Sequence, residues 1–274
     1  MEPIMKWAGG KRQLLGDIKS VININELAGH RLYEPFVGGG AFFLDLEHDN
    51  VLINDINKEL INVYLQVRDD PTQLINLLKK HRDNHSRDYY YEIRNYDRNG
   101  KIEMLSNVEQ AARTIYLNRV CYNGLYRVNA SGQFNVPFGK YTNPEIVSEN
   151  KIKEISNYLN NKNIEITSVD FAQAVQDAAA GDLVYFDPPY DYNEGGFTSY
   201  TRNGFSRDDL RKLKNICDVL IAKGCKVVIS NNETSFVDLL FNEPKYQKKY
   251  VMAKRMINCK GQRRSCIKEV IIYG

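Results

Sequence analysis

The chain of 274 residues is 43% hydrophobic and 26% charged, with a formal net charge of +3. Its length supports a core large enough for one sizeable α/β domain, or a domain carrying an insertion, and the composition excludes a mini-protein, a disordered chain and a low-complexity or collagen-like one. No run of about 18 apolar residues exists, and residues 1–20, with Lys6, Lys11, Arg12 and Asp17, lack the apolar stretch of a signal peptide, so a cytoplasmic protein without a membrane partner is expected.

From the amino end, Gly10 to Ile22 carries Leu14, Leu15, Ile18, Val21 and Ile22 at helical spacing, and Arg31 to Phe36 reads as a short strand. Gly38-Gly39-Gly40 leads into a predicted helix over Ala41 to Leu46, and Val51 to Asp55 is a second buried strand. From Asn57 the pattern turns helical and tyrosine-rich over Leu60 to Asp83, Tyr89 to Tyr96 and Val108 to Cys121. Residues 122–144, with Gly124, Gly132, Pro137, Gly139 and Pro144, read as an irregular or hairpin-containing unit. The α/β rhythm returns with strand Ile164 to Val169, helix Phe171 to Ala179 and the apolar strand Leu183 to Phe186. Ser206 caps a helix whose Leu210, Leu213, Ile216, Leu220 and Ile221 make one face, and Val227 to Ile229, Val251 to Ile257 and Glu269 to Tyr273 supply the last strands. This alternation predicts an α/β fold with a largely parallel sheet covered on both faces. Residues 1–56 plus 146–274 form its main domain, and 57–145 are a mainly helical insert.

Ligands of open α/β sheets bind at the carboxyl ends of strands, where glycine lets them approach the backbone. Gly38 to Gly40 lies at such an end, although tight turns without ligands use the same residues. Asp55 ends the next strand 17 positions after Gly38, where an acid can hold a ribose diol or cap the following helix. The glycine segment lacks both the phosphate-loop pattern and the full dinucleotide pattern, and Glu34 beside it repels a pyrophosphate. A nucleoside with a cationic centre fits better, S-adenosylmethionine being the common one, with Asp170 and Phe171 offering an acceptor and a ring to its adenine.

Asp187-Pro188-Pro189-Tyr190 follows the buried run Leu183 to Phe186. Two prolines remove two backbone donors and stiffen the turn, so the Asp187 carboxylate and the Pro188 carbonyl present acceptors only. An exocyclic amine on a base offers two N–H bonds, and its lone pair is delocalised into the ring. Two fixed acceptors pull it toward tetrahedral geometry and free that pair to attack a methyl sulfonium, with Tyr190 stacked on the base.

Charge is segregated along the chain. Residues 245–268 hold nine basic side chains and no acid, so the remainder sums to −6. Residues 110–141 are also free of acids, with Arg113, Arg119, Arg127 and Lys140 interleaved with Tyr116, Tyr122, Tyr126, Phe134, Phe138 and Tyr141. Either stretch alone is as well read as a solvated basic face with core aromatics; together they favour a polyanion partner. Cys121, Cys217, Cys225, Cys259 and Cys266 never fall as C-x-x-C and read as buried or idle thiols. His30, His48, His81 and His85 have no carboxylate or cysteine partner at useful spacing, so neither metal nor histidine chemistry is expected.

Several segments together resemble the Dam-type DNA adenine N6-methyltransferases across nearly the whole chain. They are Lys6-Trp7-Ala8-Gly9-Gly10-Lys11, Glu34-Pro35-Phe36-Val37-Gly38-Gly39-Gly40, Asn54-Asp55, Tyr122-Asn123-Gly124-Leu125-Tyr126-Arg127, Phe134-Asn135-Val136-Pro137-Phe138-Gly139 and Asp187-Pro188-Pro189-Tyr190. The resemblance implies a Rossmann-like methyltransferase sheet with a target-recognition insert. It implies an S-adenosylmethionine pocket lined at Trp7, Lys11, Asp55 and Asp187, which Phe36, Gly38, Gly40, Asp170 and Phe171 are expected to join, and catalysis at Asp187, Pro188 and Tyr190. It further implies methylation of adenine in GATC of double-stranded DNA, with the base rotated out of the helix. Arg127 and Lys6 read guanine, Asn123, Leu125 and Pro137 contact neighbouring pairs, and Tyr122 wedges into the vacated stack. Arg119, Asn129 and Lys140 are expected at the DNA as well, and residues 245–268 at phosphates. The stretch Asp191 to Gly196 departs from the family pattern, being more acidic and lacking its Pro-Leu-Ser, and Phe197-Thr198-Ser199-Tyr200 resumes it. A cytosine N4, RNA or protein-amide acceptor is disfavoured by the DNA-type insert, and a silent DNA-binding protein by the intact Asp187 and Asp55. A monomer is expected.

Overall fold

The computed structural model describes residues 1–7, 11–191, 204–254 and 266–274. Ala8 to Gly10, the acidic stretch after Asp191 with Phe197 to Tyr200, and most of the basic Asn258 to Lys268 segment with Cys259 lie outside them. A 3-10 turn at Lys11–Gln13 precedes α1 (Leu15–Ser20), and the buried triplet of β1 (Leu32–Glu34) runs into the glycine turn, α2 (Ala41–Leu46) and β2 (Asn50–Asn54). The helical pattern over 60–83 is two helices, α3 (Lys58–Asp69) and α4 (Pro71–Asp83). Pro71 lacks the N–H that would continue α3 and instead opens α4, while Asp70 caps it by accepting from the Gln73 amide at 3.1 Å. Next come α5 (Arg87–Arg94) and α6 (Asn107–Val120), the latter opened by a Ser106–Glu109 capping box. A helix not predicted from the sequence, α7 (Glu149–Asn161), buries Ile152, Ile155 and Leu159 and leads into β3 (Asn163–Thr167). The helix expected over 171–179 is shorter, α8 (Phe171–Ala174), and is followed by β4 (Leu183–Phe186). The chain closes with α9 (Arg207–Ala222), β5 (Lys226–Asn232), α10 (Ser235–Leu240), β6 (Gln247–Lys254) and β7 (Cys266–Tyr273).

The described residues form a seven-stranded sheet in the order β3-β2-β1-β4-β5-β7-β6. The first five strands are parallel, and β7 pairs antiparallel with both β5 and β6. This is the mixed α/β, Rossmann-like architecture that the alternation predicts. Period-two alternation splits the strands between two cores. Leu32, Ile53, Leu183 and Tyr185 pack with α1–α4, α6 and α7, whereas Tyr33, Leu52, Val184 and Phe186 pack with α8–α10. No described helix is long and apolar enough to cross a membrane.

The helix α6 is buried on every side because it serves two cores. Its first half (Val108, Ala111, Ala112, Ile115) lies on the sheet side, and its second half (Tyr116, Leu117, Val120) packs in a third cluster with Tyr90, Tyr126, Phe134 and Val136. That cluster carries a hairpin over residues 121–139, laddered by Tyr122 N to Pro137 O (2.9 Å), Asn135 N to Arg127 O (3.0 Å) and Gly139 N to Val120 O (2.9 Å). Arg113, fully buried, fixes the hairpin to α5. Its guanidinium donates to the Ile93 carbonyl at 3.0 Å and lies 3.1 Å from Asp97, whose carboxylate also accepts the Phe134 amide at 2.8 Å.

Breaking this buried pair leaves Asp97 with less compensation for its charge. Arg113→Met is expected to lower the free energy of unfolding by about 3–5 kcal/mol, measured by denaturant titration.

Candidate active site

The strand order places the site. From β1 the chain moves outward to β2 and β3, and from β4 it moves the other way to β5, so the topological switch lies between β1 and β4. The turns leaving these two strands are the glycine turn and Asp187 to Tyr190.

Within the glycine turn, Gly38 adopts φ +48° and Gly40 φ +74°. A Cβ on Gly38 would stand 2.9 Å from the Trp7 indole, and one on Gly40 would stand 2.6 Å from the Tyr64 hydroxyl, which itself donates to the Gly38 carbonyl at 2.9 Å. Glu34, buried, accepts the Phe43 amide at 3.0 Å at the start of α2, and burial raises its pKa well above the usual carboxylate range. It is a helix cap, a role the sequence did not reveal. Asp55 accepts the Gly38 amide at 3.1 Å on one oxygen and the Asn57 amide at 2.9 Å on the other, and burial lifts its pKa to about 6. The cap of α3 is Asn57, which accepts from Leu60, so Asp55 is not the N-cap. Asn54 locks the exits of β1, β2 and β3 together: its amide donates to the carbonyls of Pro35 and Val169, and its oxygen accepts the Thr167 hydroxyl and the Val169 amide, all at 2.9–3.1 Å.

On the β4 side, the Lys11 ammonium lies 2.9 Å from Asp187 and 4.3 Å from the centre of the Tyr190 ring. Lys11 is only 5% exposed and Asp187 21%. Burial is the largest influence on Asp187 and raises its pKa to about 6; Lys11 opposes that rise and Glu269 adds to it. The Tyr190 hydroxyl donates to Glu269 at 2.8 Å. Behind the turn, Asn231 accepts the Asp191 amide at 3.0 Å and Asn232 donates to the Asp191 carbonyl at 2.7 Å. Sequence reasoning missed Glu269, Asn231 and Asn232. The asparagines carried the same signal as Asp55 and Asp187, polar residues at the end of an apolar strand.

Phe36 and Phe171 meet at 5.2 Å, and Phe205, also not anticipated, lies 5.7 Å from Phe36. Asp170 caps α8 through the Ala172 amide and is paired with Lys212 at 2.9 Å.

Toward the hairpin, Trp7 stacks on Tyr126 at 5.2 Å. The buried Asn118 clamps the backbone of Lys6 on both sides, accepting its amide at 2.8 Å and donating to its carbonyl at 2.7 Å, and also donates to the Gly124 carbonyl at 3.1 Å. Gly124 has φ +63°, and a Cβ there would meet the Lys6 stem at 2.5 Å, so only glycine lets the hairpin close on Lys6. The Lys6 ammonium lies 3.9 Å over the Tyr141 ring. Arg127 donates to both oxygens of Asn135, at 2.7 Å to the side chain and 3.3 Å to the backbone. Asn123 adopts a left-handed conformation, Leu125 is half-buried, Pro137 and Lys140 are exposed, and Tyr122 is 37% exposed. Two residues expected at the DNA have partners within the protein. Arg119 is buried and turned inward, donating to the Glu145 carbonyl at 2.6 Å and the Ile4 carbonyl at 3.3 Å and pairing with the Glu145 carboxylate. Asn129 closes the hairpin tip, accepting the amides of Ser131 and Gln133.

The basic segment is likewise less open than its sequence suggests. Lys245 pairs with Asp218 and Glu243, Lys248 with Asp238, Lys249 with Asp17 and Lys268 with Glu233, all at 2.7–3.1 Å. The side chains of Lys254, Arg255, Lys260, Arg263 and Arg264 are outside the described set. Cys121, Cys217 and Cys225 are buried free thiols. His81 stacks on Tyr116 at 4.8 Å in the third cluster, and burial lowers its pKa to about 4.

Comparison with known proteins gives a consistent result. Residues 7–257 match the family described as D12 class N6 adenine-specific DNA methyltransferase. The chain is 45% identical over 278 aligned positions to the type II methyltransferase M1.LlaDCHI of Lactococcus lactis, covering 100% of this chain and 96% of that protein. It is 39% identical to the type II methyltransferase M.MjaIII of Methanocaldococcus jannaschii, covering 96% and 95%, and 32% identical to a DNA adenine methylase of Vibrio cholerae, covering 97% and 94%. With the motifs seated at the switch point of the sheet and similarity along its whole length, the chain belongs to the D12 class of N6 adenine-specific DNA methyltransferases.

Proposed function

We propose that this enzyme methylates the adenine of GATC in double-stranded DNA, receiving that adenine outside the helix against Asp187, Pro188 and Tyr190. The observation that carries the reading is the Lys11–Asp187 pair beside the Tyr190 ring, a half-buried hydrogen-bond acceptor held charged by a buried ammonium next to an aromatic face. The DNA adenine methylase of Vibrio cholerae supports adenine as the target, and the resemblance to the Dam-type family supports GATC as its site.

The turn between β1 and α2 fits S-adenosylmethionine, the donor that a methyltransferase of this family implies. Each Asp55 oxygen receives a single backbone N–H, which leaves lone pairs on both for a ribose diol. The Gly38 backbone lies bare against Trp7, where a side chain would collide, and Phe36 with Phe171 offers apolar walls for a purine. Asp170 keeps acceptor capacity beyond its cap and its lysine. When bound, the donor supplies an electrophilic methyl group on a sulfonium. The protein's own residues do the rest. Lys11 holds Asp187 ionised against its burial, and the Asp187 carboxylate and Pro188 carbonyl accept the two N–H bonds of the exocyclic amine. Tyr190 stacks on the base, and the stacking offsets part of the few kcal/mol needed to extract it.

On the DNA side, Asn135 occupies part of the Arg127 fork and orients what remains toward guanine O6 and N7, while Lys6 of the amino-terminal segment, clamped by Asn118, lies against Gly124 of the hairpin. Asn123, Leu125 and Pro137 face the neighbouring pairs, Tyr122 fills the vacated stack and Lys140 meets phosphate.

Incubating the enzyme with labelled donor and duplexes with and without GATC is expected to place the label in N6-methyladenine of the GATC duplex alone. Label in N4-methylcytosine, or equal labelling of both duplexes, overturns the reading. Asp187→Ala is expected to abolish transfer while DNA binding persists in a mobility-shift assay. The rate at saturating substrates should fall as pH drops through about 6, where Asp187 gains a proton and ceases to be a pure acceptor. Lys11→Gln removes the charge that favours ionisation and should move that limb to higher pH. Arg127→Ala should reduce discrimination at one base pair by about 1–3 kcal/mol, measured as relative kcat/KM on singly substituted sites.

A further inference from the structure

Tyr190 emerges from a turn at the open edge of the sheet, and its ring is a long lever on a single Cα. Asn231 and Asn232 fix the backbone that follows it, but they hold the chain and not the ring. Among the described residues the ring is held at two places. Lys11 lies 4.3 Å from its centre, and Glu269, on β7, accepts its hydroxyl hydrogen at 2.8 Å. Lys11 is bound to Asp187 and so shares in the events at the base, whereas Glu269 belongs to the sheet. It is the register partner of Asn232 on β5 and of Val251 on β6, flanked by strands on both sides. A hydrogen bond at the tip of the ring restricts its swing most, because the hydroxyl is the atom farthest from the backbone.

We propose that Glu269 is the positioning residue of the base pocket, anchoring the Tyr190 hydroxyl to the sheet so that the ring is already in the plane on which the target adenine stacks. The proposal rests on the reading that Tyr190 stacks on that adenine. Preorganisation of this kind lowers the ordering cost that an incoming base would otherwise meet. Glu269 also acts through its charge. Among the described residues, the titratable groups that act electrostatically on or with Asp187 are Lys11 from the amino-terminal turn, Glu34 from β1, Tyr185 from β4, Tyr190 from the turn itself and Glu269 from β7. Of the two carboxylates, Glu34 is committed to the amide at the head of α2, while Glu269 adds directly to the rise of Asp187.

The test uses the intact enzyme with two duplexes: one that the wild type methylates, to read kcat, and the same duplex with 2-aminopurine in place of the target adenine, to report stacking. Tyr190→Phe deletes one oxygen and with it the anchor. Glu269→Leu deletes the anchor from the other side, and Glu269→Gln keeps an acceptor oxygen but removes the charge. Each of the first two is expected to lower kcat roughly tenfold, the size of a lost hydrogen bond to a charged group, with little change in affinity for S-adenosylmethionine, and to alter 2-aminopurine emission in the same direction. Their double variant should be no worse than the more damaged single one. Glu269→Gln should retain most of the wild-type kcat while the acidic limb of its pH–rate profile moves to lower pH, since a charge opposing Asp187 ionisation is gone. If the double variant shows the product of the two losses, if Tyr190→Phe is as active as the wild type, or if the limb of Glu269→Gln stays in place, Glu269 is not the anchor. Should Glu269→Leu fail to fold, Tyr190→Phe alone decides through kcat and emission. A wild type that methylates adenine while these variants behave independently refutes the positioning role only. A wild type that places no label in adenine refutes the functional reading instead.

Discussion

A carboxylate at the end of an apolar, fully buried strand is an unfavourable arrangement, and the ammonium of Lys11 is what makes it tenable at Asp187. Burial alone pushes the group toward its neutral form, in which one oxygen becomes a donor and the side chain is no longer a pure acceptor. Lys11 counters this from 2.9 Å and at the same time lies 4.3 Å from the centre of the Tyr190 ring, so a single side chain bears on both the charge of the carboxylate and the surroundings of the ring. At Asp55, among the described residues, the same burial is opposed by two backbone amides.

The position of that amino-terminal segment is in turn set by the hairpin. Asn118 grips the Lys6 backbone, Trp7 lies between Tyr126 and Gly38, and Lys11 reaches Asp187 a few residues later. Lys6, expected to touch a base edge, and Trp7 and Lys11, expected to line the methyl-donor pocket, therefore share one short stretch of chain. Asn118 and Gly124, which carry no reaction chemistry, are what bring the stretch and the hairpin together. A shift of the hairpin on DNA has a direct route to Trp7, and through it to the glycine turn.

Much of this was legible in the sequence where the chemistry is local. The strand Leu183 to Phe186 coincides with β4, the helix Ala41 to Leu46 with α2, and the acids ending two strands lie at the switch point of the sheet. What depends on a distant partner was not legible. The acid-free stretches looked like open basic surface, yet Arg113 and Arg119 are core residues satisfied by Asp97 and Glu145, and Lys245, Lys248, Lys249 and Lys268 meet acids supplied by other elements. The aromatics among them, Tyr116, Tyr126 and Phe134, are the third core. Local absence of acid is a statement about the chain, and the fold supplies the acids from elsewhere. Glu34 misled in the same way: read as a charge facing the ligand, it is a buried cap for α2.

The direction of β7 explains why Glu269 is at the site at all. In a parallel sheet the carboxyl edge is furnished by residues that end strands, as Asn54, Phe186 and Asn232 do. A strand added antiparallel next to β5 brings its beginning to that edge, and the register pairs Glu269, near the start of β7, with Asn232, the last residue of β5. The same glutamate on a parallel β7 would lie at the opposite end of the sheet, about 3.3 Å per residue away over the length of the strand. The reversal at the edge thus gives the Asp187 to Tyr190 turn a second wall, made from a strand that the parallel part of the fold could not have offered, and it gives the Tyr190 hydroxyl a partner on rigid β structure in place of a loop.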